Sequence, residues 1–281
     1  DQAATFLFED FSRSQIQRWI ERGNLLVNGE NLKAKDKVHI GDELSLDPVF
    51  ENRVSWDGED IPISILHEEE DFLIINKSPR LVMHPGAGCH NGTLANALAF
   101  HFPDLKQLPR CGIVHRLDKD TSGVFIMAKT RESAQLLTSL FRLRKVHKTY
   151  LAICHGELEK DSGEWNDDLI RYDGEKKIIE KAKTLYKVLD KNSEASLVEL
   201  KPITGRKHQL RKQLYAVGQP IFGDVKYKLS NSFKGINKNL MLHSYQIRFI
   251  ANDIKHTYTA LLPDYFKKLL KTKRLRFLDL K

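Results

Sequence analysis

Cysteine is scarce in this chain: Cys89, Cys111 and Cys154 are the only three in 281 residues, odd in number and widely spaced. That excludes a disulfide framework and a zinc knuckle, and it points to three buried thiols in a reducing compartment. Long apolar runs are missing as well. Runs such as residues 72–75 and 124–127 fall far short of the ~20 residues that span a membrane. No basic stretch followed by an apolar one marks a secretory signal. The reading is a cytoplasmic protein with no membrane partner. Common chemical signatures are absent too: there is no GxSxG elbow, no GxxxxGK[ST] phosphate loop and no HExxH metal pair. Gly86-Ala87-Gly88-Cys89-His90-Asn91 begins like a dinucleotide fingerprint, but Asn91 stands in the place of the last glycine. The 11 histidines do not gather at ligand spacing, so neither a metal nor another cofactor is expected.

What the chain has in excess is positive charge, and the excess is unevenly placed. The net charge is +8. Residues 1–75 carry 7 Lys/Arg against 17 Asp/Glu, a net of −10, whereas residues 76–281 carry 38 against 20, a net of +18. A polyanionic partner is implied for the larger part. With 41% hydrophobic and 29% charged residues, a chain of this length can bury a core without staples.

Residues 1–48 read as a small module. Ile16, Trp19 and Ile20 fall at i, i+3, i+4 on a helix that Gly23 ends. Leu25-Leu26-Val27 runs into Asn28-Gly29, a hairpin signal, with Leu32 on the return strand. A stretch rich in Asp, Glu and Asn makes residues 49–62 a linker. The rest, residues 63–281, alternates many strands with a few helices: strands at 63–66, 71–76, 112–114, 124–128, 150–153, 184–189, 196–200, 240–250 and 257–260, and helices at 94–102, 132–143, 207–217 and 263–271. Hairpin connections without regular βαβ units predict an α+β class. The expected architecture is a mixed, mainly antiparallel sheet with flanking helices, plus the small N-terminal α/β module.

Two segments carry chemistry. In Gly112-Ile113-Val114-His115-Arg116-Leu117-Asp118-Lys119-Asp120-Thr121-Ser122-Gly123, turn formation accounts for the last four residues. It gives no reason for His115-Arg116-Leu117-Asp118, where strand meets loop, and loops on rigid scaffolds often carry function. In Thr204-Gly205-Arg206-Lys207-His208-Gln209-Leu210-Arg211-Lys212-Gln213-Leu214, Thr204 is a candidate N-cap. Arg206, Lys207, Arg211 and Lys212 crowd the helix start, opposing its dipole, so either an anion lies close by or the face is simply solvated.

With these segments in view, the chain resembles the RluA/RluD-type pseudouridine synthases of ribosomal RNA. Residues 112–123 are similar to the family signature. Ser12-Arg13-Ser14-Gln15-Ile16 through Val27-Asn28-Gly29 resembles an S4-type RNA-binding module lacking its first few residues. Ile75-Asn76-Lys77 with His84-Pro85-Gly86-Ala87-Gly88 looks like the approach to the signature, Lys148-Thr149-Tyr150 like the second motif, and Leu200 to Arg211, continued by Gln219-Pro220-Ile221-Phe222-Gly223-Asp224, like the third. The resemblance implies Asp118 as the essential aspartate, Tyr150 packed against the target uracil and assisting proton removal, and Arg211 paired with the Asp118 carboxylate. Arg116 would fill the gap left when the base leaves its stack. Arg13, Arg18, Lys33 and Lys35 of the module, with Arg206, Lys207 and His208, would contact RNA. Lys212-Gln213 and Gln219 depart from the residues common in the group, which bears on target choice between the synthase D and C groups.

The implied reaction detaches uracil from ribose, rotates it and rejoins it through carbon. It is redox-neutral and needs an ionised carboxylate beside the sugar or base, and an adjacent guanidinium favours that charged form. Extruding a stacked base costs a few kcal/mol, part of which a planar Arg116 offsets. The expectation is therefore a monomeric synthase of residues 63–281 with the module at 1–48, acting on large-subunit ribosomal RNA. A non-catalytic RNA-binding protein on the same scaffold and a synthase acting on another RNA are the alternatives. A hydrolase using Asp118 with His115 leaves Tyr150 and the third motif unexplained.

Overall fold

The computed structural model describes residues 1–8, 11, 13–48, 57–86, 89–173, 176–228 and 239–278. Ser12, Ala87, Gly88 and residues 49–56 of the expected linker lie outside them. The chain divides into two units, Asp1–Ser55 and Trp56–Lys281.

In the first unit a short helix α1 (Gln2–Leu7) precedes α2 (Arg13–Glu21). The i, i+3, i+4 face behaves as its spacing predicts: Ile16, Trp19 and Ile20 are buried with Ala4, Leu25 and Val27. Strand β1 (Leu25–Val27) turns at Asn28 and Gly29, both in the left-handed region. The return differs from expectation. Only Val27 bridges back to Glu30, and the paired strand is β2 (Leu44–Leu46). A turn explains the difference: Lys33 N–H donates to the Asp36 carboxylate at 2.9 Å and Asp36 N–H to Lys33 O at 2.9 Å. That curl leads the chain away from β1, while Leu32 still packs on the small core.

The second unit is built on β3 (Ser64–Glu68), β4 (Phe72–Lys77), β5 (Ser122–Ala128), β6 (His147–His155), β7 (Ser162–Asp173), β8 (Lys176–Lys191), β9 (Ala195–Pro202), β10 (Leu242–Ala251) and β11 (Ile254–Thr259). Helices α3 (Leu94–His101), α4 (Arg131–Arg142), α5 (Gln209–Ala216) and α6 (Asp264–Thr272) complete it. Among the described residues these strands form one nine-stranded sheet in the order β3-β4-β5-β10-β6-β9-β8-β7, with β11 also on β10. Only β5 with β10 is parallel. The class is therefore the expected α+β with a mainly antiparallel sheet.

Both faces of the sheet centre are covered, which is why its strands read as short continuous apolar runs. Along β4 and β5 alternate residues serve different cores. Leu73, Ile75, Phe125 and Met127 join the larger cluster with residues of α3, α5 and α6, whereas Phe72, Ile74, Val124 and Ile126 join a second cluster with Leu137 and Leu140 of α4. Thr93 and Thr130 N-cap α3 and α4, each accepting the N–H three residues on.

Three further expectations need correction. Residues 112–114 form no strand. Arg110, Cys111 and Gly112 are successive left-handed residues, and a β-carbon at Gly112 would lie 2.1 Å from Ala128 O, so the chain reaches the loop through a tight bend pressed on β5. Thr204 does not cap α5. Its hydroxyl accepts Lys183 N–H at 2.9 Å and donates to Gln209 at 2.7 Å, and α5 begins after His208 without a side-chain cap. The strand expected at 184–189 lies in the second half of β8, which pairs with an unanticipated β7 in a long hairpin whose outward face is largely exposed. Of the cysteines, Cys111 and Cys154 are buried but Cys89 is only half-buried, and all three are free.

Candidate active site

The loop leading into β5 is pinned on both sides of Asp118. Leu117 is buried in the larger core. His115 stacks between the Phe125 and Phe141 rings, with centroids 4.2 and 4.4 Å away, and its Nε2 accepts the Ile126 N–H at 3.2 Å. Burial, with the Lys148 charge, holds the His115 pKa well below the ordinary imidazole value. This neutral, core-bound ring is no partner for Asp118, which removes the hydrolase arrangement. Between these anchors Arg116 stays exposed and Asp118 half-buried. Thr121 N–H donates to Asp118 O at 3.1 Å and closes the turn.

Beneath the loop lies Lys77, at the end of β4 and only 2% exposed. Its ammonium donates to the carbonyls of Ser78 at 2.8 Å, Leu81 at 3.0 Å and Lys119 at 2.9 Å, using all three donors on backbone. Burial pushes its pKa down to about 7, against the opposing pull of the Asp120 and Asp118 charges.

One row across the sheet organises the floor of the site. Gly123 of β5 pairs with Ser244 of β10, Ser244 with Tyr150 of β6, and Tyr150 with Leu200 of β9. Gly123 is obligatory there: its φ is +109° and a β-carbon would lie 2.1 Å from Ser244 O. Tyr150 is buried, and burial drives its phenol well above the ordinary range; Ser244 beside it works the other way and the Asp118 charge adds to the rise. The phenol is protonated at neutral pH. Burial also lowers the Lys148 amine, two residues earlier on β6, and a β-carbon on Gly205 would lie 3.8 Å from its Nζ. The second and third motifs therefore meet here.

Arg211 of α5 and His208, the residue before that helix, face Asp118. Arg211 Nη1 lies 3.7 Å from Asp118 Oδ2, although 93 residues separate them, and His208 Nε2 lies 3.9 Å from Asp118 Oδ1. Among the described residues no donor hydrogen-bonds the Asp118 carboxylate. Arg211 is tied instead to Asp224, with Nε 2.6 Å from Oδ2 and Nη2 2.7 Å from Oδ1. Asp224 Oδ1 also accepts the N–H groups of Lys226 and Tyr227, both at 2.9 Å. The anions that relieve the crowded helix start are therefore Asp224 and Asp118. Arg206 turns to β8, donating to Lys181 O at 3.1 Å with Glu180 at 3.5 Å.

Residues 71–216 match the family model described as RNA pseudouridylate synthase, and residues 9–44 match that of the S4 domain. The chain belongs to the RNA pseudouridylate synthase family. It is 35% identical over 268 residues to the ribosomal large subunit pseudouridine synthase D of Vibrio parahaemolyticus, covering 89% of this chain and 82% of the relative. It is 39% identical over 234 residues to the protein of that name from Pseudomonas aeruginosa, covering 81% and 72%. Among solved structures, human RNA pseudouridylate synthase domain containing 4 aligns with a TM-score of 0.62 at 29% identity, over 77% of this chain and 95% of that one.

In this synthase-family chain the site residues expected from sequence fall into three groups. Asp118, Tyr150, Arg211 and His208 converge around one carboxylate. Arg116, Arg206 and Lys207 lie in the same unit, Arg116 and Lys207 exposed and Arg206 turned to β8. Arg13, Arg18, Lys33 and Lys35 are exposed in the S4 unit, where Arg13 also pairs with Asp1 at 2.7 Å. Sequence reasoning missed the roles of Lys77, Asp224 and Tyr227. Lys77 and Asp224 each stand beside a stretch of small and apolar residues, the one available signal that a charge there is buried and must be paired. Among the described residues no three His, Cys, Asp or Glu side chains are placed to hold a metal ion, and no helix is long and apolar enough to cross a membrane.

Proposed function

We propose that the chain isomerises uridines of large-subunit ribosomal RNA to pseudouridine, with Asp118 as the reacting carboxylate. The observation that carries this reading is the Asp118–Arg211 approach: an accessible carboxylate, unshared by any hydrogen bond among the described residues, facing a buried guanidinium at 3.7 Å. The lack of a closer partner leaves the carboxylate oxygens available to ribose or base. In the reaction the N1–C1′ bond breaks, the C5–C1′ bond forms, the C5 proton leaves and N1 ends protonated, so no electron is gained or lost. The floor by Tyr150 offers a flat apolar ring against which the detached uracil turns, its phenol held in the protonated form.

Arg116, exposed beside Asp118, is suited to stack in the vacancy left by the extruded base. Lys207 and His208 border the same opening, and the exposed Arg13, Arg18, Lys33 and Lys35 give the S4 unit its own contact with the backbone phosphates. The named relatives, synthase D proteins, support ribosomal RNA of the large subunit as the substrate. A monomer working in the cytoplasm, where ribosomal RNA is the substrate, completes the reading. The test is to incubate the protein with unmodified large-subunit ribosomal RNA and to map pseudouridine at nucleotide resolution. New pseudouridine at discrete positions is expected; RNA that stays unmodified while it binds favours the non-catalytic alternative.

A further inference from the structure

The two groups that face Asp118 are both held from behind by one residue. His208 has Nε2 3.9 Å from Asp118 Oδ1 and Nδ1 3.1 Å from the Tyr227 hydroxyl. Arg211 has Nη1 3.7 Å from Asp118 Oδ2, and its guanidinium carbon lies 5.2 Å from the centre of the Tyr227 ring. Lys226 Nζ lies 5.6 Å from the same centre, so the ring carries two cations. The Tyr227 N–H donates to Asp224, the carboxylate that anchors Arg211.

His208 sits at φ 55°, a left-handed conformation that a residue with a β-carbon adopts only where its surroundings impose it. An imidazole is aimed by whatever its second nitrogen bonds, and here that is the Tyr227 phenol. Tyr227 lies beyond residue 216, where the family match ends.

We propose that Tyr227 is a positioning residue of the Asp118 centre: its hydroxyl aims the His208 ring and its face supports Arg211, so that each Asp118 oxygen meets one oriented group. This rests on the reading of Asp118 as the reacting carboxylate. The hydroxyl and the ring have separable roles. Tyr227→Phe keeps the face under Arg211 and releases His208; Tyr227→Leu removes both supports.

The experiment measures single-turnover rates at saturating large-subunit ribosomal RNA, RNA affinity by filter binding and thermal midpoints for Tyr227→Phe, Tyr227→Leu, His208→Ala, the double variant Tyr227→Phe/His208→Ala, and Asp118→Asn. Tyr227→Phe is expected to slow the rate roughly tenfold, the worth of one hydrogen bond, at unchanged affinity and midpoint. Tyr227→Leu is expected to slow it about a hundredfold, as misplacement of catalytic groups does. The double variant should be no slower than His208→Ala, since Tyr227 then has nothing left to aim. With Asp118→Asn inactive, a wild-type rate for Tyr227→Phe, or losses that multiply in the double variant, overturns the positioning role alone. Full activity in Asp118→Asn overturns the catalytic reading beneath it.

Discussion

Arg211 gives its two short hydrogen bonds to Asp224, at 2.6 and 2.7 Å, and approaches Asp118 only to 3.7 Å. The guanidinium is thus anchored by one carboxylate while it faces another. Burial alone raises Asp224, but hydrogen bonds from Arg211 and from the Tyr227 and Lys226 backbone outweigh it and hold the carboxyl below its ordinary range. Asp224→Ala leaves a buried charge with a loose partner, a loss of about 3–5 kcal/mol in stability. A urea titration monitored by fluorescence checks this, and an unchanged midpoint contradicts the anchoring role.

Lys77 joins three carbonyls, one of them in the turn after Asp118. Lys77→Met leaves those acceptors unpaired and is expected to lower stability by about 2–4 kcal/mol and to slow turnover by loosening the turn. The pH dependence has a definite sign. The folded Lys77 pKa of about 7 lies below the unfolded value of about 10.4, so between these pH values the unfolded chain binds the extra proton. Stability of the wild type relative to Lys77→Met therefore rises from pH 7 to pH 10. Paired denaturant melts across that range measure it; a gap that is flat with pH contradicts the burial of the amine.

Three histidines are held neutral in the fold. Burial lowers His84 to about 4, helped by the Arg110 and Arg116 charges, lowers His243 to about 4, and holds His115 well below its ordinary value. His243 is locked between the Ser122 hydroxyl at 2.9 Å and Ala260 O at 3.2 Å. The folded pKa values lie below the unfolded one, so the unfolded chain takes up protons first on acidification. Stability is complete above about pH 6.5 and falls as pH drops toward 4, by up to ~1.4 kcal/mol per pH unit for each histidine. His115→Phe should reduce that slope by about one proton in melts between pH 7 and pH 5; an undiminished slope contradicts the neutral His115.

Phosphate contacts have a salt signature. Lys207 is exposed at the start of α5, and Lys207→Ala is expected to weaken RNA binding and to reduce the slope of log affinity against log salt by about 0.7–0.9. Arg116→Ala should instead slow single-turnover modification more than it weakens binding, because its role begins when the base is extruded. Filter binding over a salt series, with rates on the same RNA, separates the two. A lower salt slope for Arg116→Ala with an unchanged rate contradicts the assignment.

Local patterns in the sequence were read well where one face or one alternation decides the structure. Ile16, Trp19 and Ile20 mark α2, and the continuous apolar runs of β4 and β5 mark strands buried on both sides. The two segments that meet at the centre also stand out in the sequence, that of Asp118 by a polarity turn formation does not explain and that of Arg211 by cations crowding a helix start, while the roles expected of them come from the family resemblance. Partners fixed by tertiary packing were not. Nothing local says that Arg211 prefers Asp224 to Asp118, or that His115, three residues before Asp118, turns into the Phe125–Phe141 stack instead of the site. Residues 112–114 look like a strand because apolar Ile113 and Val114 follow directly on the three left-handed residues Arg110–Gly112, a bend set by the approach of Ala128. The β7–β8 hairpin exposes Ile170, Tyr172, Ile179 and Leu185 and turns Asp167 and Glu180 the other way, so its alternation of apolar and polar residues is weak.

The most direct measurement compares Asp118→Asn with the wild type on unmodified large-subunit ribosomal RNA, mapping pseudouridine and recording RNA affinity in parallel. The substitution keeps the shape of the loop and removes the charge that Arg211 faces. The account predicts discrete pseudouridines with the wild type and none with Asp118→Asn, at similar affinity. Equal modification by both proteins would contradict it.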